Sequence, residues 1–187
     1  MPVTASSRTL AALGAAAAAV VLSACGTMAT PASFSQDALP DAVKVPAGNK
    51  VSLETVGVGQ ITYECRVKKD TTDQFEWVFV GPDAKLFDRA SKQLGRYYGP
   101  PATWESSDGS KLTGAQVAVA PAGAGNIPLQ LVKANPASGP GVLQGVTFIQ
   151  RVAIQGGVAP AAACVAGNKG EKQIVTYQAD YIFWKAI

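Results

Sequence analysis

Gln60-Ile61-Thr62-Tyr63-Glu64-Cys65-Arg66-Val67 alternates polar and apolar side chains without a break. A period of two marks an extended strand with one buried face, because successive side chains leave the pleat on opposite sides. Ile61, Tyr63, Cys65 and Val67 therefore share an inner face, and Gln60, Thr62, Glu64 and Arg66 an outer one. The same period recurs along the chain. Phe75, Trp77 and Phe79 alternate, and Val175, Tyr177, Ala179, Tyr181 and Phe183 form an inward row opposite Thr176, Gln178 and Asp180. Val146 to Ile154 reads as a longer, mostly apolar strand interrupted by Gln150 and Arg151.

Turn residues separate these runs. Ser107-Asp108-Gly109-Ser110 predicts a hairpin between strands Thr103–Ser106 and Lys111–Ala120. Gly81-Pro82, Gly99-Pro100-Pro101, Ala134-Asn135-Pro136, Gly139-Pro140-Gly141 and Gly156-Gly157 mark further breaks. Ala84 to Leu94 has apolar spacings that a short helix could use, and is read as strand plus turn. Gly57/Gly59 and Gly123/Gly125 complete no phosphate-binding fingerprint and are read as loops. Many short strands joined by Gly/Pro turns predict an all-β fold, a single antiparallel β-sandwich or flattened barrel with one disulfide.

Upstream, the chain opens as a secretory leader. Arg8 supplies positive charge and Leu10 to Leu22 is apolar and alanine-rich. That run of about 13 residues is shorter than the roughly 20 that cross a bilayer as a helix. It closes on Leu22-Ser23-Ala24-Cys25, which resembles a bacterial lipobox. The resemblance implies cleavage before Cys25 and diacylglycerol on its thiol, with acylation of the new amino terminus. Gly26 follows, not Asp, which by the same resemblance favours the outer membrane of a Gram-negative envelope. The expected organisation is a signal over 1–24, a lipidated flexible tether over 25–45, rich in Ala, Thr, Pro and Ser, and a β-rich domain over 46–187. Such a tether spans roughly 25 Å.

With Cys25 assigned to lipid, Cys65 and Cys164 remain. An even pair in an oxidising compartment predicts a disulfide, two buried free thiols being the alternative. It would close a loop of about 100 residues, for which chain entropy predicts roughly 4–5 kcal/mol. The chain has no histidine, which excludes Ser-His-Asp and Cys-His catalysis and removes the commonest zinc and copper ligand. A net charge of +3, part of it Arg8, with no basic cluster longer than Lys68-Lys69, argues against nucleic acid as partner.

Several phrases occur together in order: Ile61-Thr62-Tyr63-Glu64-Cys65; Gly81-Pro82-Asp83-Ala84-Lys85-Leu86-Phe87; Tyr98-Gly99-Pro100; Ile149-Gln150-Arg151-Val152; Gly156-Gly157-Val158-Ala159-Pro160; and Val175 to Phe183. They resemble the secreted bacterial and fungal family called domain of unknown function 3455, over roughly residues 40 to 185. The resemblance implies an extracytoplasmic β-rich domain without a settled activity. Relatives often carry a histidine just before the aromatic-Gly-Pro phrase, where Arg96-Tyr97-Tyr98 stands here.

Two constellations are candidates for a site. Trp104 and Glu105 beside the Asp108 turn, with Tyr98 near, offer an aromatic face and two carboxylates. A sugar-binding or glycosidase-like patch needs those groups converging. The plainer and preferred reading has Trp104 capping the core and Asp108 making the turn. Arg151 and Asp180 lie on otherwise apolar strands and must be paired if both point inward; Asp180 is expected outward. No carboxylates have calcium spacing, and no metal or other cofactor is expected. The expected function is a non-catalytic envelope lipoprotein, a binding or surface module held to membrane by its lipid. The alternative is a carbohydrate-binding or carbohydrate-active domain using Trp104, Glu105 and Asp108. An envelope glycan or another envelope protein is the expected partner.

Overall fold

The alternation over residues 60–67 is the second half of a long strand, β1 (Asn49–Val67). The computed structural model describes Met1 and residues 34–187. The leader, Cys25 and the tether through residue 33 lie outside the described residues. Seven strands follow: β2 (Phe75–Phe87), β3 (Gln93–Tyr98), β4 (Thr103–Ser106), β5 (Lys111–Ala120), β6 (Leu129–Ala134), β7 (Val146–Gly156) and β8 (Lys172–Ala186). Each pairs antiparallel with the next, and β8 returns to pair with β1, closing a single barrel. The β4–β5 hairpin has the expected bounds, and residues 84–94 form strand and turn. Closure satisfies the open ladder edges that a flat sheet would leave. Eight strands give an interior just wide enough for side chains or one small ligand.

Register sets what fills it. Ile61 faces Val175, Gly59 faces Tyr177, Thr55 faces Tyr181 and Leu53 faces Phe183 across β1 and β8. Gly57 and Gly59, expected in a loop, lie within β1. Their absent side chains are what the interior requires: a Cβ on Gly57 would sit 2.6 Å from the Tyr181 ring. A bulge between Thr62 and Tyr63 shifts the phase of β2. Beyond it Pro82, Ala84 and Leu86 face inward, while before it Phe79 shares the face of Tyr63, its ladder partner, but is 52% exposed and meets only the edge of that ring. The Cys65–Cys164 disulfide forms, tying β1 to the loop between β7 and β8. Trp77 reinforces that loop by donating its indole N–H to the Ala162 carbonyl, at 2.7 Å.

The tether reading is corrected from Phe34 onward. Residues 34–45 pack on the outside of the barrel, with Val43 and Val45 fully buried. Phe34 meets Trp184 edge-on at 6.3 Å. Gln150, buried although it points outward, donates to the Val43 carbonyl at 2.7 Å and accepts from Trp184 Nε1 at 2.9 Å. Gln36 holds Val45 by both its N–H and its carbonyl. The cause is visible at the end of β8, where Tyr181-Ile182-Phe183-Trp184 is apolar on both faces. One face fills the barrel and the other needs a cover.

Candidate functional site

At one end of the barrel an apolar pocket opens to solvent. A cavity of about 290 Å³ lies between Leu53 and Thr55 of β1, Leu86 of β2 and Phe183 of β8. Leu94, Gln93 and Lys92 bound it on one side, and Glu105, Ser106, Ser107 and Asp108 on another. Its lining is mostly apolar with a polar rim, the make-up of a small-molecule site, and its volume is at the lower end of such sites. Thr55 spends its hydroxyl on the Tyr181 carbonyl at 3.3 Å, leaving the floor apolar.

Val142 and Leu143, from the connection between β6 and β7, form the cover. The β4–β5 hairpin holds them there. Asp108 Oδ2 accepts from the Val142 N–H at 2.6 Å, and Ser110 Oγ accepts from the Leu143 N–H at 3.2 Å. Asp108 Oδ1 in turn accepts from the Ser110 hydroxyl at 2.6 Å and its N–H at 2.9 Å. Gly141 allows the approach. Its φ of +145° lies outside the range of ordinary residues, and a Cβ there would meet the Asp108 carboxylate. The Ser110 hydroxyl, then the Val142 and Ser110 N–H groups, hold the Asp108 carboxyl well below its usual pKa of 3.8.

The sign of the resulting pH dependence follows. A depressed carboxylate pKa adds stability that is present above the unfolded value, near 3.8, and is lost as pH falls toward the folded one. Asp108→Ala is expected to lower the thermal midpoint near neutral pH. As pH drops below 3.8 wild type loses this contribution and the variant does not, so the two midpoints converge. Paired melting curves from neutral pH down to about pH 2 check this; a gap of constant size would assign the effect to the loop alone and not to the ionised carboxylate.

The chain matches, over residues 46–185, the family described as protein of unknown function (DUF3455). It belongs to that family. No curated protein and no solved structure matches it.

In this DUF3455 barrel Glu105 and Asp108 both border the cavity, but Trp104 does not join them. Trp104 lies inside, 1% exposed, stacked on Tyr97 at 4.7 Å. Glu105, next along the strand, points outward, where it accepts from Tyr98 Oη at 2.8 Å and Arg96 Nη2 at 3.0 Å. Those two contacts hold its pKa below the usual carboxylate value. Arg96 lies over the Tyr98 ring at 4.5 Å. The sugar platform expected of Trp104, Glu105 and Asp108 is therefore not assembled: its aromatic face is walled in, and its carboxylates serve a surface cluster and a turn. Asp108 does make the turn, and Trp104 is core, as the plainer reading has it. Asp180 faces outward as expected, and binds Arg89 at 2.7 Å. Arg151 points inward, and the two do not pair. Sequence reasoning missed Leu53, Leu86 and the Val142-Leu143 cover. The signal for the cover was present, an apolar pair stranded between Gly139-Pro140-Gly141 and Gly145.

Proposed function

We propose that this chain is a non-catalytic binding module, its barrel cavity taking one small, largely apolar molecule, and that Cys25 holds it to the cell envelope as a lipoprotein. The observation that carries the binding reading is the unfilled apolar space at Leu53, Leu86 and Phe183 under a hydrogen-bonded cover. A half-open apolar pocket of this size with a polar rim has the make-up of a small-molecule site. Two features support the lipid anchor. Leu22-Ser23-Ala24 precedes Cys25, and the bridge between Cys65 and Cys164 leaves Cys25 as the odd thiol. With the barrel's cover beginning at Phe34, few residues separate that anchor from the folded unit. The barrel would ride close to the membrane.

The test is binding of N-phenyl-1-naphthylamine, an uncharged apolar fluorophore. Saturable enhancement is expected for wild type. Leu53→Trp, which fills the cavity from its wall, should weaken binding at least tenfold, a loss of about 1.4 kcal/mol. Equal binding by the two proteins would remove the cavity reading, and so would turnover of a glycan or ester abolished by one substitution. Intact mass of protein taken from its native membrane checks the anchor separately, with acylation at Cys25 and loss of the first 24 residues expected.

A further inference from the structure

The inner face of β7 carries a partly exposed cation that joins no ion pair among the described residues. Arg151 lies on the inner face of β7, across the ladder from Tyr181. Its guanidinium donates from Nη2 to the Pro128 carbonyl at 2.9 Å. Its Nε is closed off from solvent and has no acceptor. None of the ion pairs among the described residues includes it. Asp180, the one buried carboxylate among them, sits on the outer face with Arg89. Asp83, whose charge reaches Tyr177, is exposed and lies opposite Gln60 on the outer face of β2.

The groups around Arg151 are phenols. Its charge is felt at Tyr63, Tyr97, Tyr177 and Tyr181, where burial pushes each pKa up and Arg151 only opposes that push. The phenols stay protonated at neutral pH, so no tyrosinate balances the guanidinium. Tyr63 Oη donates to the Gly157 carbonyl at 2.8 Å, and the hydroxyls of Tyr177 and Tyr181 share one hydrogen bond of 3.1 Å. Trp104 Nε1, fully buried, is a second interior donor without an acceptor. Buried donors in folded proteins are satisfied. The Arg151 guanidinium is partly exposed, but its Nε–H is closed off and lacks an acceptor, which an oxygen carrying negative charge would supply. The planar guanidinium fork suits carboxylate and phosphate oxygens.

We propose that Arg151, with the tyrosine hydroxyls beside it, is a binding site for an oxyanion, a carboxylate or phosphate group, at the Pro128–Gly157 end of the barrel. The site lies apart from the apolar cavity, and neither reading depends on the other. The test is titration of the ¹⁵N-labelled full-length chain with sodium phosphate and, separately, sodium acetate, against sodium chloride at matched ionic strength. The Arg151 Nε–H resonance should move saturably with phosphate or acetate and not with chloride. Whichever acts at lower concentration identifies the group. By tryptophan fluorescence, Arg151→Gln should bind at least tenfold more weakly, while Arg66→Gln, at the exposed pair with Glu64, should match wild type. Where Arg151→Gln fails to fold, Arg151→Lys keeps the charge without the fork and should bind measurably more weakly. A resonance that stays still, or moves equally with chloride, overturns the proposal. So do variants at positions 151 and 66 that titrate alike.

Discussion

Trp104→Ala is expected to cost about 3–5 kcal/mol of folding stability, the range for emptying a fully buried large aromatic site. Trp104 is 1% exposed, stacked on Tyr97 at 4.7 Å and edge-on to Tyr181 at 6.1 Å. Tyr97 and Tyr181 also meet, at 4.9 Å, so the three rings form one unit spanning the barrel from β3 and β4 to β8. Removing the indole strips contacts from both partners at once. The backbone around it is held by ladder hydrogen bonds on both sides of β4 and has little freedom to collapse into the gap. Against a total stability of about 5–15 kcal/mol, such a loss leaves a marginal protein. At 2–4 °C per kcal/mol for a chain of this size, the midpoint falls by roughly 6–20 °C. Trp104→Phe should lose markedly less, because it keeps an aromatic ring in place and discards an N–H that has no acceptor. Urea unfolding followed by circular dichroism measures both. A loss below about 1 kcal/mol for the alanine variant would mean that Trp104 is not core and would reopen the sugar-platform reading.

The second large effect belongs to the disulfide. Replacing Cys65 and Cys164 together with serine is expected to cost about 2–5 kcal/mol, the range for removing a native bridge. The bridged residues are 99 apart in sequence, and chain entropy for such a loop predicts the upper part of that range. In the folded protein the bridged loop is held independently. Gly170 N–H donates to the Cys65 carbonyl at 2.8 Å, the Cys65 N–H to the Glu171 carbonyl at 2.9 Å, and Trp77 to Ala162. The native structure should therefore change little, with the loss arising from a freer unfolded chain. The check is a urea midpoint for the double-serine protein and for wild type with and without dithiothreitol. The reduced wild type should match the serine variant, and the native circular dichroism spectrum should survive in both. Loss of the native spectrum in the absence of urea would show that the bridge also holds the folded barrel together.

Strand positions were readable because alternation is a local property. Tyr63 and Cys65 inward, Glu64 and Arg66 outward, the Ser107–Ser110 turn and the inward row of β8 all follow from neighbours in sequence. The errors fall where a distant segment decides. Phe79 keeps the face of Tyr63, its ladder partner, yet is 52% exposed, because alternation gives a side chain's face and not what covers it. Gly57 and Gly59 read as loop because the groups that take their space, the Tyr181 ring for Gly57 and the Asp83-Ala84 backbone for Gly59, come from other strands. Val43 and Val45 read as tether because the partners that bury them, around Gln150 and Trp184, are equally remote. The candidate site fared worst. Trp104 and Glu105 are adjacent in sequence, and for that very reason a strand sends them to opposite faces. The cavity walls come from β1, β2 and β8, and no short phrase could announce their meeting.

By itself the amino-acid sequence determined which residues extend, where the chain turns, which cysteines are left to bridge and which chemistries are closed to a chain without histidine. These depend on side-chain type and nearest neighbours. Closure of β8 onto β1, the cover laid by residues 34–45, the half-open pocket beside Leu143 and the unsatisfied Nε–H of Arg151 were decided only by tertiary structure. Alternation assigns every strand two faces but does not say what lies against either. That choice belongs to register between strands far apart in the chain, where a shift of one residue exchanges inside for outside.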